Sequence, residues 1–237
     1  MPEIFLNGPA GRLEGNFIAA QNPDAPVALV LHPHPVHGGT MNNKVVYNIY
    51  KTLFKNGFSV MRINFRGVGK SMGEFDNGLG EMTDAATALD WLQENHPLSK
   101  VNLIAGFSFG AWIAMQLIMR RPEITDFLAI SPPVNKYDFS FLSPCPVPGL
   151  IVQGDKDSVV PEESVSDLAQ RLAKQRNIEV DYRVINDADH FFRDKIALLN
   201  AEIDSYIKSI FSHTSSSSSG TDSDSIVSSS KKKIFLD

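Results

Sequence analysis

The sequence holds a single cysteine, Cys145, among 237 residues. One thiol excludes an internal disulfide and any zinc cage built on cysteines. Long apolar runs are missing too: none approaches the ~18 residues that a membrane span needs. The opening MPEIFLNGPAGR has no basic stretch leading into an apolar one, so no secretory signal is read there. Basic residues are in deficit, 22 against 27 acidic ones, which leaves a net charge of −5. Such a balance gives no electrostatic footprint for nucleic acid. Internal repeats are absent. The remaining composition, 43% hydrophobic and 21% charged, is ordinary for a globular chain. A cytoplasmic protein with one folded domain is the simplest expectation.

The end of the chain differs from the rest. Between Ser212 and Ser230, 11 of 19 residues are serine, and KKKIFLD follows. That stretch cannot bury enough apolar surface to offset an ordering entropy of about 1–2 kcal/mol per residue. We therefore expect a domain over residues 1–211 and a serine-rich disordered tail over 212–237.

Within the domain, strand-like and helix-like patterns alternate. EIFL and LEGNFIAA flank the turn-forming NGPAGR and predict an opening hairpin. VALVLH, FSVMRINF, VNLIAGF, DFLAI, GLIVQG and EVDYRVI are short apolar or β-branched runs, as strands buried on both faces require. Between them apolar residues recur at helical spacing: Val45, Val46, Ile49 and Leu53; Ala85, Ala88, Leu89 and Leu92; AWIAMQLIMR; Val165, Leu168 and Leu172. Ile196, Leu199, Ile203 and Ile207 mark a last helix. Such alternation predicts an α/β fold, with a mostly parallel sheet, an N-terminal antiparallel hairpin and helices on both faces. Sites in such sheets lie at the carboxyl ends of the strands.

Gly106-Phe107-Ser108-Phe109-Gly110 sits at one of those ends, between a strand and a helix. A tight strand-to-helix turn needs small residues two before and two after its centre, and it lifts the central serine hydroxyl clear of the backbone. The helix N-terminus behind it favours developing negative charge. A nucleophilic serine needs a base, and the base needs an orienting acid. Asp155 and Asp157 follow the strand GLIVQG, and His190 follows EVDYRVI. The carboxylate must leave the strand before it can turn to the imidazole, which favours Asp157. Asp155 is expected to cap the turn. Asp187 and Asp189 are too close in sequence to His190 to face its ring.

The order Ser108, Asp157, His190 is that of the α/β-hydrolases, and the chain resembles that superfamily over about residues 1–211. More narrowly, it resembles small, lidless bacterial serine hydrolases of the esterase and dienelactone-hydrolase-like kind. The matching segments are His32-Pro33-His34-Pro35, Gly38-Gly39-Thr40-Met41-Asn42-Asn43-Lys44, Asn64-Phe65-Arg66-Gly67 and the Ser108 turn. The resemblance implies that the backbone N–H groups of His34 and Phe109 form an oxyanion hole. Dienelactone hydrolases carry cysteine where Ser108 stands, so their lactone substrate does not carry over.

The expected function is thus cleavage of a carboxylic ester, thioester or amide of a small acyl substrate, without a cofactor. Only SPPVNKYDFSFLSPCPVP lies between DFLAI and GLIVQG, too little for a lid domain. This predicts an open cleft, with Tyr137, Phe139 and Phe141 as candidate wall residues. Phe107 and Phe109 either shape the acyl pocket or pack beneath it. Two other classes of function compete with this one. A non-catalytic binding module on this fold would show a broken triad. A metal-dependent hydrolase would use His32, His34 and His37, but Val36 stands where the related zinc motif has an aspartate, and few further ligands exist. The hydrogen bonding of loop backbone by these imidazoles is the better expectation. Arg66-Gly67-Val68-Gly69-Lys70-Ser71 resembles the end of a phosphate-binding loop, but Asn64 replaces its first glycine and no helix follows. Arg66 is expected to fix a turn or an internal ion pair, and Cys145 to be a buried thiol.

Overall fold

The computed structural model describes residues 3–176 and 178–216. Among the described residues, eight strands and five α-helices follow one another in the order the sequence pattern anticipates. The strands are β1 (Glu3–Gly8), β2 (Gly11–Ile18), β3 (Val27–Leu31), β4 (Ser59–Ile63), β5 (Asn102–Phe107), β6 (Asp126–Ile130), β7 (Gly149–Gly154) and β8 (Val180–Ile185). The helices are α1 (Lys44–Lys55), α2 (Leu79–Asn95), α3 (Phe109–Ile118), α4 (Glu162–Ala173) and α5 (Ile196–Ser216). Helix α5 continues to Ser216, past Phe211, where the domain was expected to end. The rest of the expected tail, residues 217–237, lies outside the described residues.

All strands join one sheet in the order β1-β2-β4-β3-β5-β6-β7-β8. The hairpin β1–β2 is antiparallel and β2 meets β4 antiparallel; from β4 onward every pairing is parallel. The parallel strands are the continuous apolar runs, and β3, β4, β6 and β7 are buried at every position. Alternate residues feed two cores. Ala28 and Val30 pack with Val45 and Ile49 of α1 and Leu199 and Ile203 of α5. Leu29 and Leu31 face the other way, among residues of α2, α3 and α4 such as Ala88, Ala111 and Leu168. The period-2 alternation of the pleat thus decides which helices cover which face.

Two arginines interrupt the apolar pattern. Arg62 in β4 is buried, bonds the Met41 carbonyl at 2.6 Å, and lies 5.1 and 4.9 Å from the ring centroids of Tyr47 and Tyr50. Arg66 follows β4 and grips Asp84 of α2 with a two-pronged pair, Nε–Oδ2 at 3.0 Å and Nη2–Oδ1 at 2.8 Å. Asp84 also accepts the Arg66 backbone N–H at 2.9 Å, so one carboxylate pins both the side chain and the turn. The turn-fixing expectation for Arg66 is met this way, with α2 as the anchor. Removing one partner of such a pair strands the other charge. Asp84→Ala is expected to cost about 3 kcal/mol of unfolding free energy in a denaturant titration; a loss under ~0.5 kcal/mol would mean the pair is dispensable.

Among the described residues no helix is long and apolar enough to cross a membrane. The loop between β6 and β7 carries only a short 3₁₀ turn over Ser140–Leu142. Of its aromatics, Phe139 is buried in the core and stacks on Phe141, which corrects the view of Phe139 as a wall residue. Tyr137 stacks on Trp112 with ring centroids 4.3 Å apart, beside Phe109. Cys145 is buried, and burial pushes its thiol above its ordinary pKa.

Candidate active site

The loops at the carboxyl ends of β3, β5, β7 and β8 lie along the same end of the sheet. The end of β5 makes the tightest turn. Ser108 has φ 53° and ψ −119°, a left-handed conformation outside the ordinary regions for a residue with a side chain. The flanking glycines explain how the turn closes. A Cβ on Gly106 would lie 2.2 Å from the Gly110 carbonyl carbon, and one on Gly110 would lie 2.4 Å from the Leu31 carbonyl oxygen. Both contacts are with backbone, which cannot yield. The spacing of the motif is thus a packing requirement between β3, β5 and α3.

Beyond β7 the chain must approach the loop after β8. Gly154 permits this, since a Cβ there would sit 2.3 Å from the Ala188 carbonyl oxygen. The Lys156 N–H donates to that same oxygen at 3.0 Å. Asp155 Oδ1 accepts the Asp187 N–H at 2.6 Å and so ties the two loops together, away from the imidazole. Asp157 instead points inward. Its Oδ2 lies 2.7 Å from His190 Nδ1, and His190 Nε2 lies 3.1 Å from Ser108 Oγ. The Oδ1 atom accepts the N–H groups of Val159 and Val160, both at 2.8 Å. Burial works against charge on Asp157. The hydrogen bond from His190 and those from the two backbone N–H groups outweigh it and hold the carboxyl below its ordinary range. Ser108, His190 and Asp157 therefore stand in one hydrogen-bonded line, and Asp155, Asp187 and Asp189 stand outside it. Asp189 is occupied with the Phe191 and Arg193 N–H groups.

The aromatic residues flanking Ser108 are both packed beneath the site. Phe107 is fully buried with its ring centroid 5.1 Å from that of His190. Phe109 is buried among His34, Phe65, Phe75 and Trp112.

The loop after β3 supplies the other side. Among the described residues neither the His34 N–H nor the Phe109 N–H has a hydrogen-bond acceptor. The Phe109 N–H opens α3, at the positive end of its dipole. His32 holds this loop. Its Nδ1 donates to the Pro33 carbonyl at 2.6 Å, and its Nε2 accepts the Phe65 N–H at 3.0 Å. Farther along, Asn64 Oδ1 accepts the Met41 N–H at 2.8 Å while its Nδ2 donates to Glu14 at 2.8 Å. The histidine-rich and asparagine-rich segments thus brace each other across β3 and β4.

These bonds bear on the metal alternative. Both ring nitrogens of His32 are used by backbone, and His34 Nδ1 accepts the Val36 N–H at 3.2 Å. Among the described residues no three potential ligands converge on a point. His32 and His34 hydrogen-bond loop backbone, as expected of these imidazoles, while His37 packs its ring against His34. A chelator is expected to leave ester hydrolysis unchanged; activity lost on chelation and restored by zinc would reverse this assignment.

Burial pushes the His32 imidazole down to about 4, against the raising pull of the Pro33 carbonyl. An unfolded histidine takes its proton near pH 6.5. The stability His32 lends is complete above that pH and is lost as pH falls through about 4, up to about 3 kcal/mol in all. Unfolding titrations between these limits should fall less steeply for His32→Gln than for the native chain. Parallel curves would place the acid sensitivity elsewhere.

The fold agrees with what the chain resembles. Residues 36–147 match the family model of the alpha/beta hydrolase fold, and the chain belongs to the α/β hydrolases. An uncharacterized protein of Rickettsia prowazekii is 62% identical over 217 residues, which are 90% of this chain and 91% of that protein. A protein of unknown function from Agrobacterium tumefaciens, a candidate α/β hydrolase, is 51% identical with a TM-score of 0.87, over 90% of this chain and 97% of that one. A lidless α/β serine hydrolase from Xanthomonas campestris is 32% identical with a TM-score of 0.78, over 87% of this chain and 93% of that one.

Proposed function

We propose that the protein hydrolyses a carboxylic ester, thioester or amide of a small substrate through an acyl-enzyme on Ser108. The observation that carries this reading is the hydrogen-bonded line from Ser108 Oγ through His190 to Asp157, at 3.1 and 2.7 Å. Ser108 Oγ attacks the substrate carbonyl while His190 Nε2 takes its proton. Asp157 keeps the Nδ1 proton in place and stabilises the imidazolium as it forms. The negative charge on the carbonyl oxygen falls to the N–H groups of His34 and Phe109, each worth about 2.7–4 kcal/mol in such sites. His190 returns its proton to the leaving group, and water, deprotonated by the same nitrogen, releases the acid. No step calls for a cofactor. The short loop between β6 and β7 supports an open cleft and so a small or flexible acyl group. The neighbour from Xanthomonas campestris, described as without a lid, supports the same view.

A fluorophosphonate probe tests the reading, because stable labelling requires an activated serine. Labelling of one site per chain, mapped to Ser108, is expected, together with turnover on a panel of acyl esters and thioesters. An unlabelled, folded protein would sink the proposal and leave a binding module as the better account.

A further inference from the structure

One side chain behind the site has no part in the chemistry above. Gln153 is the residue before the last in β7, a strand whose other side chains are all apolar. It is fully buried. Its Nε2 donates to Asp157 Oδ2 at 3.0 Å and to the Val160 carbonyl at 2.9 Å. Asp157 Oδ2 is the same oxygen that faces His190 Nδ1.

The backbone N–H groups of Val159 and Val160 hold only Oδ1. Rotation of a carboxylate about its last bond is soft and turns both oxygens together, so two donors on Oδ1 alone leave part of that freedom. The Gln153 amide closes that freedom. Its orientation is settled by its partners: reversed, Oε1 would face Asp157 Oδ2 and the Val160 carbonyl, with no proton between acceptors. In the arrangement present, Oε1 is buried without a donor among the described residues. An unmet amide oxygen costs stability, and an apolar side chain of the same shape would avoid that cost. The benefit of a carboxamide here therefore lies in what Nε2 holds.

We propose that Gln153 is a positioning residue for the Ser108–His190–Asp157 triad, one that fixes the Asp157 carboxylate so that its Oδ2 stays aligned with His190 Nδ1. The inference rests on the hydrolase reading above. Gln153 is neutral, so it orients the carboxylate without cancelling the charge that steadies the imidazolium. Among the described residues, the one titratable side chain bonded to Asp157 is His190, and His190 bonds Ser108 and Asp157.

The test is Gln153→Met, which keeps the length and removes the donor. Turnover of a soluble ester should fall about 10- to 100-fold, as a small misalignment does, with KM unchanged. The acid limb of the kcat/KM profile should move to lower pH, because a carboxylate out of line with Nδ1 steadies the protonated imidazole less. The low-field proton resonance of the His190 Nδ1–H should move as well. Native turnover, limb and resonance in the variant would overturn the proposal. So would a lower melting temperature and turnover with the limb and the resonance unmoved, since that pattern means packing alone. If the methionine variant does not fold, Gln153→Leu takes its place, close in volume and likewise without the donor, with the same readouts. Failure of the native protein to label at Ser108 would instead bring down the hydrolase reading, and the resonance would still decide whether Gln153 sets the bond between Asp157 and His190.

Discussion

Ser108→Ala is expected to abolish fluorophosphonate labelling and to lower ester turnover by about 10⁶. The size of the effect follows from the single job given to Oγ. No neighbouring side chain can replace it as the attacking atom, since His190 Nε2 faces that hydroxyl and Asp157 lies behind the imidazole. The fold should survive. Among the described residues the Ser108 side chain makes one bond, to His190, and alanine takes up the left-handed backbone at 108 no less readily than serine. The Ser108 N–H to Ile130 carbonyl bond at 2.8 Å is untouched by the substitution. Circular dichroism and melting temperature near native, with labelling gone, are the expected results. Labelling of the alanine variant at the native rate would show that another residue is the nucleophile.

Asp157→Asn is expected to lower turnover by about 10⁴, and the surroundings of the carboxylate show why an isosteric change is so costly. The Val159 and Val160 N–H groups both point at Oδ1. An asparagine must present its carbonyl there. Its amide nitrogen then takes the place of Oδ2, facing His190 Nδ1 on one side and the Gln153 amide nitrogen on the other. Nδ1 can answer a donor only by giving up its own proton. That moves the proton to Nε2, where it points at Ser108 and blocks proton acceptance from Oγ. Asp155→Asn should cost far less, because Asp155 accepts one loop N–H outside the site. The opposite ranking of the two variants in a steady-state assay would mean that the wrong acid has been chosen.

How much of this could be read beforehand depends on how local each requirement is. The strands β3, β6 and β7 were legible because burial on both faces forces continuous apolar runs. The turn at Ser108 was legible because its glycines answer contacts within five residues and one neighbouring strand. The choice of Asp157 over Asp155 followed from chain direction alone, and the geometry sets Asp157 beside the imidazole. Other features depend on partners distant in sequence. Nothing near Arg66 identifies Asp84 as its partner, and nothing near Gly154 announces the approach of Ala188. Gln153 left one signal, a polar residue inside an otherwise apolar strand, and it was absorbed into the strand. The role of Phe139 was misjudged because a proline-rich loop does not disclose which of its aromatics turn inward. Helix α5 outran its expected end because its last turns carry no apolar stripe.

The line from Ser108 to Asp157 also has a history in time. Ser108 and His190 are 82 residues apart in the chain, and Asp157 and His190 are 33 apart. At a synthesis rate of about 5–20 residues per second, the serine precedes its base by about 4–16 s. During that interval the elbow can form without a group to take its proton. Contacts of such long separation form late in folding, after the loops between them have closed. If Ser108 is the nucleophile proposed, the newborn chain is expected to stay chemically silent until β8 docks at the edge of the sheet, and recovery of labelling during refolding should report completion of that last edge.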